Sequence, residues 1–187
     1  MIESLYAPFR KWSTEGTIWV ISDTHFGDVE LLAGTPGRPS AEALVKLINS
    51  KVGRKDTLIL LGDVGDLEYA RQLRGYKVLI QGNHDAGHTL YEEVFDEVYS
   101  GALMISEKIM LSHEPVNIPW VFNIHGHVHD KHHKNDKYHM NCCSDVIGYF
   151  PINFNQWIKR SGALTNIQSL HRGTIDKATE RKKKRKK

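Results

Sequence analysis

Residues 17–25 read Thr-Ile-Trp-Val-Ile-Ser-Asp-Thr-His, a short run of β-branched and aromatic residues that stops at a carboxylate and an imidazole. Residues 17–22, flanked by Gly16 and Asp23, predict a buried strand. The pattern recurs along the chain. Residues 57–61 (TLILL) lead into Gly62 and Asp63, and residues 77–80 lead into Gly82, Asn83, His84 and Asp85. A strand over 108–112 ends at His113, and one over 121–124 is followed by Gly126, His127, Val128 and His129. Five strand ends thus carry metal-competent side chains. In open α/β sheets ligands bind outside the carboxyl ends of the strands, so these turns are expected to converge on one site.

Between the strands the signals turn helical. Ser40 reads as an N-cap, with Leu44, Leu47 and Ile48 on one face of a helix ending near Gly53. Further helices are expected over 66–73, 89–97 and 153–160, and further short strands over 98–105 and 137–142. Residues 26–39, with three glycines and two prolines, read as loop. Strands alternate with helices in the first half and hairpins follow in the second, which predicts a single α/β domain of layered sheets with helices outside.

The chain has 187 residues, enough for one domain burying roughly two-thirds of its unfolded surface. It shows neither a secretory signal nor an apolar run near the length of about 20 residues that spans a bilayer. Cys142 and Cys143 are adjacent and form no disulfide framework; reduced thiols, small core residues and a cytoplasmic setting are expected. The net charge of +3 conceals a division. Residues 177–187 carry eight Lys or Arg and one Glu, which leaves the rest of the chain mildly acidic. The expected organisation is a folded domain over 1–176 and a disordered basic tail over 177–187. Without interleaved aromatics, the tail can give nucleic acid only weak, nonspecific, salt-sensitive attraction.

Asp23 and Asp63 offer anionic oxygen, Asn83 a neutral carbonyl, and His25, His113, His127 and His129 imidazole nitrogen. This mixed oxygen and nitrogen set without thiolate suits divalent Mn, Fe, Zn, Co or Ni. Of the remaining histidines, His88 falls at a helix start, and His132, His133 and His139 are expected to be solvated rather than ligands.

In order, the blocks Asp23-x-His25, Gly62-Asp63, Gly82-Asn83-His84-Asp85, His113 and Gly126-His127-x-His129 closely resemble the calcineurin-like metallophosphoesterase superfamily. The stretch around Ser22-Asp23-Thr24-His25-Phe26-Gly27 is similar to its small bacterial and phage members. Relatives of this type often carry His after Phe-Gly, where this sequence has Asp28. The resemblance implies a four-layer α/β/β/α sandwich. It further implies a first metal on Asp23, His25 and His129, a second on Asn83, His113 and His127, and Asp63 bridging them. His84 would be the catalytic acid, oriented by Asp85, and a metal-bridging hydroxide would attack a phosphoester in line.

Protein phosphatases of the superfamily resemble Gly-Asp-x-x-Asp-Arg-Gly and Arg-Gly-Asn-His-Glu. Here Leu67 and Gln81 stand where those arginines would be, so a clamp for a phosphate dianion is missing. A phosphodiesterase acting on a small molecule or nucleotide, with Mn first among the metals, is therefore expected ahead of a phosphomonoesterase or a small nuclease. A non-catalytic scaffold is the remote alternative. Specificity is expected in loops 26–39 and 114–120, the first acting as a lid.

Overall fold

A computed structural model of the chain describes residues 4–130 and 136–161. The basic tail, its boundary at 176/177, His132 and His133 lie outside the described residues. Two sheets form the framework. The first contains β1 (Ile18–Ile21), β2 (Thr57–Leu60), β3 (Tyr76–Ile80), β4 (Glu97–Tyr99) and, late in the chain, Ile152–Asn153. The second contains β5 (Leu103–Met104), β6 (Ile109–Leu111), β7 (Phe122–His125) and β8 (His139–Asn141), so Ile152–Asn153 is β9. The strand orders are β4-β3-β2-β1-β9 and β5-β6-β7-β8. β1 to β4 run parallel, as do β6 to β8, while β9 and β5 are antiparallel edges.

Register explains why the site lies where it does. Ile21 stands opposite Leu60, and Leu60 opposite Leu79, so the turns after β1, β2 and β3 leave the sheet side by side. In the second sheet Leu111 faces Ile124, which brings the turns after β6 and β7 together. The sheets meet at this edge through Ser22, whose N–H donates to Cys142 O at 2.9 Å and whose carbonyl accepts from Ser144 N–H at 3.0 Å.

Two apolar layers follow from strand alternation. Val20, Ile59, Leu61 and Val78 face Ile109, Leu111, Ile124 and Met140 between the sheets. Leu58, Leu60 and Leu79 point the other way, onto Leu44, Val45 and Ile48 of helix Ala41–Asn49. Being buried on both faces, β2 reads as an unbroken apolar run rather than an alternating one.

The helices in chain order are α1 (Val29–Gly34), α2 (Ala41–Asn49), α3 (Leu67–Ala70), α4 (His88–Tyr91), α5 (Ser144–Ile147) and α6 (Phe154–Ser161). Ser40 caps α2 by accepting Ala43 N–H at 3.3 Å. Among the described residues no helix is long and apolar enough to cross a membrane.

Three expectations need correction. Residues 26–39 are not all loop: Asp28 accepts Leu31 N–H at 2.8 Å and starts α1 despite the neighbouring glycines. The helix expected over 89–97 is shorter, ending at Tyr91 and continuing as turns, and Asp96 already pairs with β3, its carboxylate accepting Lys77 N–H at 2.7 Å. The hairpins expected in the second half reduce to β5 with β6, since β6, β7 and β8 run parallel. The N-terminal segment forms a 3₁₀ helix over Ala7–Ser13. Its Phe9 and Trp12, with Leu5, complete the inter-sheet core.

Candidate metal centre

The turns leaving the strands are strained in a consistent place. Asp23, His25, Asp63 and His127 have φ of 56°, 40°, 54° and 66°. Asp and His tolerate this left-handed region better than most residues, yet it still costs free energy and concentrates at functional sites. Close approach does the rest. A Cβ on Gly62, at φ 87°, would lie 2.6 Å from Gly82 Cα and 2.6 Å from His113 Nδ1, so only glycine lets the β2 and β3 turns touch.

Of the sequence-predicted residues, Asp23, His25 and His129 form one group with potential ligand atoms within 4.8 Å of one another, and Asp63, His113 and His127 form a second. Asn83 joins the second, its Oδ1 2.8 Å from His113 Nε2 and 3.0 Å from His127 Nδ1. Asp63 faces both groups: Oδ2 is 3.5 Å from His25 Nε2 and 3.3 Å from His113 Nε2.

The donor chemistry fits cations. His113 Nδ1–H donates to Leu61 O at 2.8 Å, so in the neutral ring Nε2 carries the lone pair. That lone pair faces Asn83 Oδ1, Asp63 Oδ2 and, at 3.1 Å, His127 Nδ1. Several acceptors converging on one point are satisfied together by a divalent ion. The local field points the same way. Burial lowers the His113 pKa, but hydrogen bonding to Asp63 and Leu61 O raises it further, with a net upward shift. His129 is pushed up to about 12, chiefly by its hydrogen bond to Asp145 and then by Asp23. The carboxylates that raise these values, Asp23, Asp63 and Asp145, make the site negative, and a divalent cation bound there would displace the proton from the imidazole nitrogen it takes.

His84 stands at the exposed rim, its ring centroid 5.7 Å from that of His25 and its backbone N–H donating to Asp63 Oδ1 at 3.0 Å. Asp85 was expected to orient it, but among the described residues no hydrogen bond joins the two side chains. The Asp85 carboxylate accepts the N–H groups of Asp63 (3.0 Å), Val64 (2.9 Å) and Gly82 (2.7 Å), and the Tyr91 hydroxyl at 3.2 Å. The tight β2 and β3 turns leave those amides without backbone partners, and the carboxylate next in sequence satisfies them. His139 is half-buried on β8, its Nδ1 2.9 Å from Asp136 Oδ2, and stands outside both ligand groups.

Two residues went unnoticed in the sequence. Asp145 takes the Nδ1–H of His129 at 2.6 Å, and the buried Arg38 holds Asp145. Asp145 follows β8 just as the other acidic residues follow their strands, a signal available in Cys142-Cys143-Ser144-Asp145. Arg38, within Gly37-Arg38-Pro39, offered none. Both cysteines are buried and free, and Cys143 lies close enough to His129 and Asp145 to form a third potential ligand group. Beside His25 a cavity of about 200 Å³ opens between α1 and α2, lined by Asp28, Val29, Leu32, Glu42 and Tyr69 among others.

Fold and site together define an α/β protein of two facing sheets, with carboxylates and imidazoles gathered at the carboxyl edge of its strands. The family profile for calcineurin-like phosphoesterases matches residues 16–185, and the chain belongs to that family of metal-dependent phosphoester hydrolases. No curated protein matches the sequence significantly. Among solved structures, it is similar to a protein of unknown function from Aquifex aeolicus, at 26% identity and TM-score 0.63, over 76% of this chain and 98% of that one. More distant likenesses are Pseudomonas putida nuclease MPE (23% identity, TM-score 0.45, 60% of this chain and 61% of that one) and Yfce, a phosphoesterase from E. coli (14%, 0.40, 74% and 82%).

Proposed function

We propose that the protein is a phosphodiesterase holding two divalent cations, Mn first among Fe, Zn, Ni and Co. Asp23, His25 and His129 would hold one cation and Asn83, His113 and His127 the other, with Asp63 shared. The observation that carries this reading is the position of Asp63 Oδ2, within 3.5 Å of an imidazole nitrogen from each group. Bound there, the pair would lower the pKa of a shared water and neutralise phosphate charge as it attacks in line. His84, whose ring stands exposed at the rim, would protonate the departing oxygen.

A diester is favoured over a monoester because the arginine at this site is already engaged. Arg38 donates to Asp145, Asp23 O and Thr24 O, which leaves it no fork for a phosphate dianion. The substrate is a small molecule or nucleotide whose leaving group enters the cavity beside His25. The buried, free Cys142 and Cys143 suit a cytoplasmic setting. The basic tail over 177–187, beyond a domain taken to end at 176, would add only weak nucleic-acid attraction.

The test is an activity screen in Mn²⁺ comparing bis-p-nitrophenyl phosphate, p-nitrophenyl phosphate, 2′,3′-cyclic nucleotides and single-stranded nucleic acid. Diester cleavage is expected to be fastest. Faster monoester cleavage would overturn the diester assignment, and no cleavage of any ester would overturn the whole reading.

A further inference from the structure

Arg38 ends the loop that carries α1, and its side chain is only 3% exposed. Nη1 donates to both oxygens of Asp145 at 2.7 Å. Nη2 donates to Asp23 O at 3.0 Å and to Thr24 O at 2.8 Å. Asp145, itself 4% exposed, spends its remaining capacity on the Tyr149 hydroxyl at 2.8 Å and on His129 Nδ1–H at 2.6 Å. One ion pair therefore grips two separate parts of the first ligand group. It clamps the strained turn at Asp23 and His25, and it aims the His129 ring so that Nε2 lies 3.5 Å from Asp23 Oδ1.

Stability alone does not account for this pair. Desolvating a guanidinium and a carboxylate costs several kcal/mol, and apolar residues of similar size often serve a core equally well. Here the polar contacts of both partners reach the site residues or Tyr149, which packs over the Arg38 guanidinium at 5.9 Å. We propose that Arg38 and Asp145 are positioning residues that set the affinity of the first metal position, a proposal that rests on the two-cation reading above. Asp145 keeps Nδ1 of His129 protonated, so that Nε2 presents its lone pair to the ion. Arg38 keeps Asp145 fixed and holds the Asp23–His25 turn in its strained shape. Carboxylates behind metal-binding histidines typically contribute 10–100-fold in affinity.

Mn²⁺ binding to the full chain would be measured by titration calorimetry for wild type, Asp145→Asn, Arg38→Lys and Tyr149→Phe, with Co²⁺ absorption spectra reporting ligand geometry. Wild type is expected to bind two ions. Asp145→Asn and Arg38→Lys should weaken one of them about 10–100-fold and change its Co²⁺ spectrum, with the other ion unaffected. Tyr149→Phe removes a single hydrogen bond to Asp145, spares the fold, and should weaken the same ion several-fold. Variants that melt earlier yet bind both ions as wild type does would reduce Arg38 and Asp145 to structural residues and overturn the proposal alone. A wild type that binds no Mn²⁺ would overturn the two-cation reading with it.

Discussion

The Asp85 carboxylate accepts the backbone N–H of Asp63 at 3.0 Å, so two acidic residues from different strand ends are tied by the main chain of one and the side chain of the other. Asp63 can face both ligand groups because Asp85 holds its backbone at φ 54°. Replacing Asp85 by Ala leaves the amides of Asp63, Val64 and Gly82 without their acceptor. Asp85→Ala is expected to cost about 3 kcal/mol in urea unfolding with chelator present, toward the upper end for stranding buried donors. Unchanged stability with only a shifted pH–rate profile would instead return Asp85 to a role behind His84.

His84 touches the site without belonging to either ligand group. His84→Ala should retain both Mn²⁺ ions by elemental mass spectrometry, unfold near the wild-type midpoint, and lose about 10²–10⁴-fold in turnover, the usual worth of a general acid. Loss of metal in this variant would make His84 a ligand.

Asp63 is the shared member, with Oδ1 accepting His84 N–H and Oδ2 facing His25 and His113. Asp63→Asn keeps the shape and removes the charge. It is expected to lower Mn²⁺ content from two ions per chain to one or fewer and to abolish turnover. Two ions bound at wild-type affinity would deny it the bridging position.

Far from the site, Glu97 accepts Trp12 Nε1–H at 2.8 Å and the Lys11 ammonium at 2.8 Å. Burial alone would raise its pKa, but Lys11, Tyr99 and Trp12 together hold it below the ordinary value of 4.5. A carboxylate depressed on folding stabilises the native state above its unfolded pKa, and that contribution fades as pH falls through the folded value. Glu97→Gln should therefore destabilise the protein at pH 7, with the deficit shrinking below about pH 4.5 and diesterase activity unchanged. A deficit constant with pH would show that packing rather than charge is what Glu97 supplies.

Much of this was legible without a structure. Each apolar run that ends in Asp, Asn or His is a local signal, and a parallel sheet converts it into a site because all its strands end at one edge. That rule gathers Asp23, His25, Asp63, Asn83, His113, His127 and His129 at one site, while their division into two groups was implied by the family resemblance. Short helices were harder: α1 depends on the single cap from Asp28, a residue whose type favours loops as readily as helix starts.

What the tertiary structure alone decided was which polar residues stand behind the first row. Arg38 and Asp145 lie 107 residues apart and meet only because the sheets join at Ser22. Asp85, adjacent to His84 in sequence, turns instead to the amides of another strand's turn. Sequence encodes the run of a strand and the residue that ends it, because both depend on neighbours in the chain. It does not encode the partner of a buried charge, because that partner is chosen by whichever desolvated group the folded layers bring within reach.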